Sequence, residues 1–197
     1  MNRLQQQVVR AIRTHRLFAP DDRVWVGVSG GADSVALVDL LESTGSLHEG
    51  RLAVVHVDHA QHPDSAEWAR GVRSLAESRG LHCVVVRAAL EPGASEAAAR
   101  EARYAVFDAL DGGVVALAHH ANDQAETGLM QLLRGTSRGA RGMRYRRGRF
   151  VRPLLDVARS DLLDWCAQRS LPTLADPANE DERFLRVRVR STVVPML

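Results

Sequence analysis

Apolar residues recur every fourth position at Leu4, Val8 and Ile12, a spacing that predicts an amphipathic helix over residues 4–16. Beyond it the pattern changes. Short, valine-rich apolar runs at residues 23–28, 52–57, 82–87 and 113–118 predict four buried strands, and a fifth, shorter one is expected within residues 150–155. Helical spacing fills the gaps: Val35, Leu37, Val38, Leu40 and Leu41 over residues 33–43; Trp68, Val72 and Leu75; an alanine-rich stretch at 95–110 with Tyr104, Phe107 and Leu110 on one side; residues 122–134; and residues 158–169. Strands alternating with helices predict an α/β fold, an open doubly wound parallel sheet of about five strands with helices on both faces. Such sheets bind ligands at the carboxyl ends of their strands. The conspicuous polar residues fall there: Ser29-Gly30-Gly31 after the first strand, Asp58-His59 after the second, His119-His120 after the fourth.

Length and composition add limits. A chain of 197 residues suits one domain with a substantial core. The expected organisation is a single domain over 1–197, with a core at about 22–134, an arginine-rich loop and C-terminal segment at 135–197, and no additional C-terminal domain. No run reaches the roughly 18 apolar residues of a membrane span, and the N-terminus lacks the apolar core of a signal peptide, so no membrane partner and a cytoplasmic location are expected. Cys83 and Cys166 are far apart, which argues against zinc, iron–sulfur and disulfide frameworks. Nothing in the sequence sets the oligomeric state, and a homodimer stays open.

The net charge of +2 conceals that every basic residue is arginine. Without lysine there is no Schiff-base chemistry and no Walker-type phosphate-binding lysine. Eight arginines crowd residues 134–152 without one acid, and Arg183, Arg186, Arg188 and Arg190 follow. Four glycines at 135, 139, 142 and 148 make residues 135–149 read as a flexible loop. A long acid-free basic stretch fits a nucleic-acid backbone better than an ordinary mixed surface.

The loop Ser29-Gly30-Gly31-Ala32-Asp33-Ser34 joins a strand to a helix, where unpaired N–H groups and the positive end of the helix dipole favour phosphate. The glycines admit a phosphate to the backbone, and the serines offer hydroxyls. Asp33 would repel a polyphosphate unless a divalent cation lay between them, so Asp33 predicts Mg²⁺. A tight turn with Asp33 or Ser34 capping the helix is the plainer alternative.

These six residues resemble the SGGxDS signature of the PP-loop, N-type ATP pyrophosphatases, which cleave ATP between the α and β phosphates and leave AMP on a substrate oxygen. The segment from Leu117 to Thr127, with His119, His120, Asn122, Asp123, Gln124, Ala125 and Glu126, resembles the HHxDDQAET block of the tRNA(Ile)-lysidine synthases. Leu132 to Thr136 continues the match. Glu96 to Tyr104 is similar to that family's E-AAR-xx-RY helix, and Val57-Asp58-His59 to its strand end. Arg152-Pro153-Leu154-Leu155, Asp176-Pro177-Ala178-Asn179 and Arg186-Val187-Arg188-Val189-Arg190 resemble its later segments. The likeness runs in order over about residues 22–197.

The resemblance implies adenylation of the C2 oxygen of cytidine-34 in a CAU-anticodon tRNA(Ile), followed by attack of free L-lysine and loss of AMP. It places Ser29, Gly30, Gly31, Ala32, Asp33, Ser34, Val57 and Arg103 at the nucleotide, with Asp33 also at the metal, and gives catalytic roles to Asp33, His119 and Asp123. Asp123 and Glu126, three apart on one helix face, would recognise lysine; a solvated face or a helix cap is the alternative. Arg100, Arg134, Arg138, Arg141, Arg186, Arg188 and Arg190 would meet tRNA. Arg100 and Arg103 fit either phosphate contacts or ion pairs with Glu96 or Glu101, and either histidine could orient the nucleotide or accept a proton. This chain departs from the pattern at Asn122, where many members carry aspartate, at Val187, where an asparagine is usual, and in ending at Leu197 where many continue into further domains. Another PP-loop tRNA-modifying enzyme, an amide-forming synthetase and an inactive nucleotide- or RNA-binding module are the competing readings. Thiolases of the superfamily usually carry cysteine pairs, which are absent here.

Overall fold

The computed structural model describes residues 1–48, 50–88, 90–91, 93–133, 135 and 142–174. The elements run α1 (Arg3–Thr14), β1 (Val24–Gly27), α2 (Ala32–Ser43), β2 (Leu52–Asp58), α3 (Ser65–Ser78), β3 (His82–Arg87), α4 (Glu96–Asp108), β4 (Val114–Ala116), α5 (Ala121–Leu133), β5 (Arg146–Arg147), β6 (Phe150–Val151) and α6 (Arg159–Gln168). The α/β sheet expected from the alternation is present, in the order β3-β2-β1-β4-β6-β5. It has six strands rather than about five. The extra one, β5, pairs antiparallel with β6 at the edge, inside the stretch read as a flexible loop. The backbone reverses there at Gly148, whose positive φ of 59° suits glycine.

The order reverses direction between β1 and β4, both parallel to each other from Val24 opposite Val114. This is the switch point at which a doubly wound sheet opens a crevice. Alternation along β1 sends Val24 and Val26 into one core with α1, α2, α3 and α6, and Trp25 into a second with Phe107 and Tyr104 of α4. Helices therefore cover both faces. Among the described residues no helix is long and apolar enough to cross a membrane.

Helix α2 is buried nearly all round, from Ser34 to Leu41, because it lies between the sheet and α6. Its one internal charge, Asp39, is buried. Asp39 accepts the indole N–H of Trp165 at 2.9 Å and pairs with Arg169 at 2.7 Å and Arg79 at 3.0 Å. Arg79 also pairs with Glu42. One carboxylate thus ties α6 and the end of α3 to α2. Its loss would strand partly buried guanidinium and indole donors. Asp39→Ala is expected to destabilise the protein by about 3 kcal/mol in urea unfolding, the scale of a buried ion pair broken on one side.

Several arginines of the basic stretch prove to be internal ties. Arg146 donates to the carbonyls of Arg16 and Leu17, just past α1, and Arg149 to those of Asp108, Leu110 and Gly112, at and after the end of α4. These carbonyls lie at the end of α4 and in the connections that follow α1 and α4, where a guanidinium supplies their donors. Arg152 is buried and donates to the Arg144 carbonyl at 2.8 Å. The stretch is thus partly structural rather than wholly a surface for nucleic acid. Arg134, Arg138, Arg141, Arg186, Arg188 and Arg190 lie outside the described residues, as do the segments at 176–179 and 186–190.

Candidate active site at the switch point

The crevice forms a cavity of about 420 Å³ at the carboxyl ends of β1, β2 and β4. Gly31, Asp33, Val57, Arg103 and His119 line it, with Trp68 at one side. Most of the residues expected at a nucleotide are therefore brought together. Arg100 is not among the lining residues. It lies over Tyr104, its guanidinium 4.9 Å from the ring centroid and 3.2 Å from the hydroxyl.

The glycine loop is braced from inside. Ser34 Oγ donates to the Gly31 carbonyl at 2.9 Å and accepts from the Ser29 N–H at 3.3 Å, while Ser29 Oγ accepts from the Gly31 N–H at 3.3 Å. In this arrangement the serines shape the loop; the Ser34 and Val35 N–H groups donate to the Gly31 carbonyl, and those of Ala32 and Asp33 at the start of α2 are the ones placed for an anion. Gly30 sits at φ +97°, and a Cβ there would come within 2.6 Å of Leu174 Cδ1. The Leu174 N–H also donates to the Gly30 carbonyl at 2.9 Å. The chain after α6 thus crosses the loop it follows by more than a hundred residues, a contact that local sequence patterns do not reveal.

His120 and Asp123 form a reciprocal cap on α5. The Asp123 carboxylate accepts the His120 backbone N–H at 3.0 Å, and His120 Nδ1 accepts the Asp123 N–H at 3.3 Å. With Nδ1 accepting, the proton of the neutral ring belongs on Nε2, which lies 3.5 Å from both Asp33 Oδ2 and Asp123 Oδ2. The second histidine is therefore a buried link between the loop and α5, and the first, His119, is the one that faces the cavity. Arg152 Nε donates to His119 Nδ1 at 3.3 Å, which in turn leaves Nε2 of His119 with the ring proton. Asp123 and Glu126 are buried rather than on a solvated face, Glu126 completely. Neither lines the 420 Å³ cavity. Asn122 Oδ1 accepts the backbone N–H of Arg159 and so caps α6, a job the amide does as well as a carboxylate.

A second pair of histidines stands beside the cavity. His56 donates from Nδ1 to the Val28 carbonyl at 2.7 Å, and burial lowers its pKa below 6.5. His59 faces Arg103 Nη2 at 3.4 Å; burial first, then Arg103 and His56, lower its pKa too. Neither was singled out as a titrating group by the sequence, because the cause is the tertiary environment.

The chain belongs to the PP-loop domain family, whose model matches residues 2–197. Among characterised relatives it is 42% identical to a tRNA(Ile)-lysidine synthase of Geobacter sulfurreducens over 96% of this chain and 43% of that protein. It is 41% identical to one from Leifsonia xyli subsp. xyli over 94% of this chain and 58% of the relative, and 36% identical to one from Bacillus cereus over 94% and 42%. The chain thus spans roughly half the length of these proteins. The U34-tRNA thiolase NcsA of Methanococcus maripaludis shares the fold, with a TM-score of 0.73 at 16% identity over 98% of this chain and 72% of that one.

The lowered histidine pKa values set a pH dependence. A depressed pKa means that the unfolded chain takes up a proton which the folded chain refuses. The stabilisation is complete above 6.5 and is lost as pH falls from there through the folded value. Urea unfolding between about pH 8 and about pH 5 is expected to show stability falling on the acid side. His56→Asn, which keeps a donor for the Val28 carbonyl, should flatten that fall.

Proposed function

We propose that this chain is the adenylating catalytic portion of a tRNA(Ile)-lysidine synthase, using ATP and Mg²⁺. The observation that carries the reading is the convergence of Asp33, His120 and Asp123 in a chain 42% identical to such a synthase over nearly its whole length. The α2 N-terminus and loop N–H groups receive the phosphates, and Val57 and Arg103 border the remainder of the nucleotide. Asp33 fits a hard cation: its Oδ1 is buried without a hydrogen-bond partner. Among the described residues no three side chains converge as a metal cage, so magnesium at Asp33 would complete its shell with phosphate and water oxygens. When bound, the ion supplies charge neutralisation between Asp33 and the polyphosphate.

The reaction balances in two displacements. The C2 oxygen of cytidine-34 attacks the α-phosphorus, the bond to the bridging oxygen breaks, and pyrophosphate leaves. The uncharged amine of lysine then attacks C2, the C2–oxygen bond breaks, AMP departs with the electron pair, and the new nitrogen loses a proton. His119, facing the cavity with Arg152 behind it, is placed to orient the nucleotide by donating from Nε2. Asp123 offers its carboxylate to a cationic substrate, and Glu126 adds negative charge one turn along the same helix. Arg100 contributes to the tRNA surface together with Arg134, Arg138, Arg141, Arg186, Arg188 and Arg190. The protein works in the cytoplasm, where its substrates are.

The test is AMP and pyrophosphate release with a cytidine-34 tRNA, run across the twenty amino acids. Release that requires lysine supports the reading; release with another amine or a sulfur donor but never lysine sinks it. Nucleotide and tRNA binding without turnover would mark a binding module instead. Asp33→Ala should lower kcat at least about a hundredfold, and Asp123→Asn should raise KM for lysine about tenfold with a smaller change in KM for ATP.

A further inference from the structure

Arg159 is the first residue of α6, where a helix dipole disfavours a cation. Ala158 offers no side-chain cap, the cap from Asn122 is neutral, and Asp161 is the one acid of the first turn. Its Nε is buried yet has no hydrogen-bond partner. The nearest opposite charge is Asp33 Oδ2 at 4.0 Å, close enough for attraction and too far for a hydrogen bond. Asp33 Oδ1 is likewise buried and unpartnered. Two opposite charges therefore face each other at the mouth of the phosphate loop without closing on one another.

The mount beneath Arg159 is firm. Trp165 and Arg169 of the same helix are held by Asp39 of α2, and Cys166 Sγ lies 3.4 Å from the carbonyl of Ala32, the first residue of α2. Helix α6 is thus fastened to the helix whose N-terminus forms the loop, and the guanidinium is set over that terminus. A polyphosphate carrying up to four negative charges needs cations, and this chain has no lysine to offer. Of the arginines near the cavity, Arg103 faces His59 and Arg152 is engaged with His119 and the Arg144 carbonyl.

We propose that Arg159 binds the β- and γ-phosphates of ATP and neutralises pyrophosphate as it leaves, the duty a lysine would otherwise perform. It rests on the reading of this loop as an ATP site. In the free protein Arg159 screens Asp33; when the nucleotide enters, the guanidinium turns to the phosphates and Asp33 is released to the cation. The planar guanidinium can take two phosphate oxygens at once, which a point charge cannot.

The experiment compares the intact protein with Arg159→Ala, Arg159→Gln and Arg159→Lys by calorimetric binding of ATP, AMP and inorganic pyrophosphate, each with magnesium. Arg159→Ala and Arg159→Gln are expected to weaken ATP and pyrophosphate binding at least about tenfold while leaving AMP affinity and the unfolding temperature unchanged; Arg159→Lys should recover part of the loss. Added guanidinium ion at low concentration should restore pyrophosphate binding to the alanine variant only. Equal losses for ATP and AMP, or no loss for either, would overturn the assignment. If the unaltered protein binds neither ATP nor pyrophosphate, the reading of the loop itself fails; if it binds both and the variants match it, only the role of Arg159 fails. Should the alanine variant unfold, the glutamine variant, which keeps the start of the aliphatic stem and a hydrogen-bond donor, carries the same comparison.

Discussion

The buried carboxylate of Asp39 is the joint on which the site depends. A lone charge within a helix packed on most sides would be costly, and here it is met by an indole N–H and two guanidinium groups from α3 and α6. The helix it belongs to begins at the phosphate loop. The helix it captures begins with Arg159. A polar contact in the core thereby sets the distance between two functional groups at the surface, some two turns from where the contact is made.

That arrangement also accounts for how the protein manages without lysine. Its loop is braced by Ser29 and Ser34, and in the proposed ATP site backbone N–H groups and an arginine would serve where a lysine is lacking. The arginines are divided between tasks. Arg146, Arg149 and Arg152 bind carbonyls, Arg79 and Arg169 bind a carboxylate, Arg103 lines the cavity, and Arg159 stands 4.0 Å from Asp33. A guanidinium is suited to all of these because its donors form a fixed fork and its charge does not titrate.

Much of the framework was legible from the chain alone. The valine-rich runs marked β1 to β4 because strands buried on both faces read as continuous apolar segments, and the glycine loop announced itself by chemistry at a strand–helix junction. What escaped was tertiary. Strand β5 carries arginine instead of an alternating apolar pattern, so composition suggested a loop there, while β6 falls within the strand expected at residues 150–155. His120 looked equivalent to His119 in sequence, and only burial separates a linking residue from one facing the cavity. Arg159 offered a faint signal, a cation at a helix start against the dipole, but its meaning needed Asp33, which is 126 positions earlier.

The contact between Leu174 and Gly30 makes the loop the underside of a later part of the chain. In the proposed ATP site, a phosphate at the loop and Leu174 would bear on the same short stretch of backbone. By thermodynamic linkage, if firming that segment altered nucleotide affinity, nucleotide would alter the segment by the same factor. If the proposed reading of the loop holds, a macromolecule that gripped the chain near Leu174 would be felt at the phosphates.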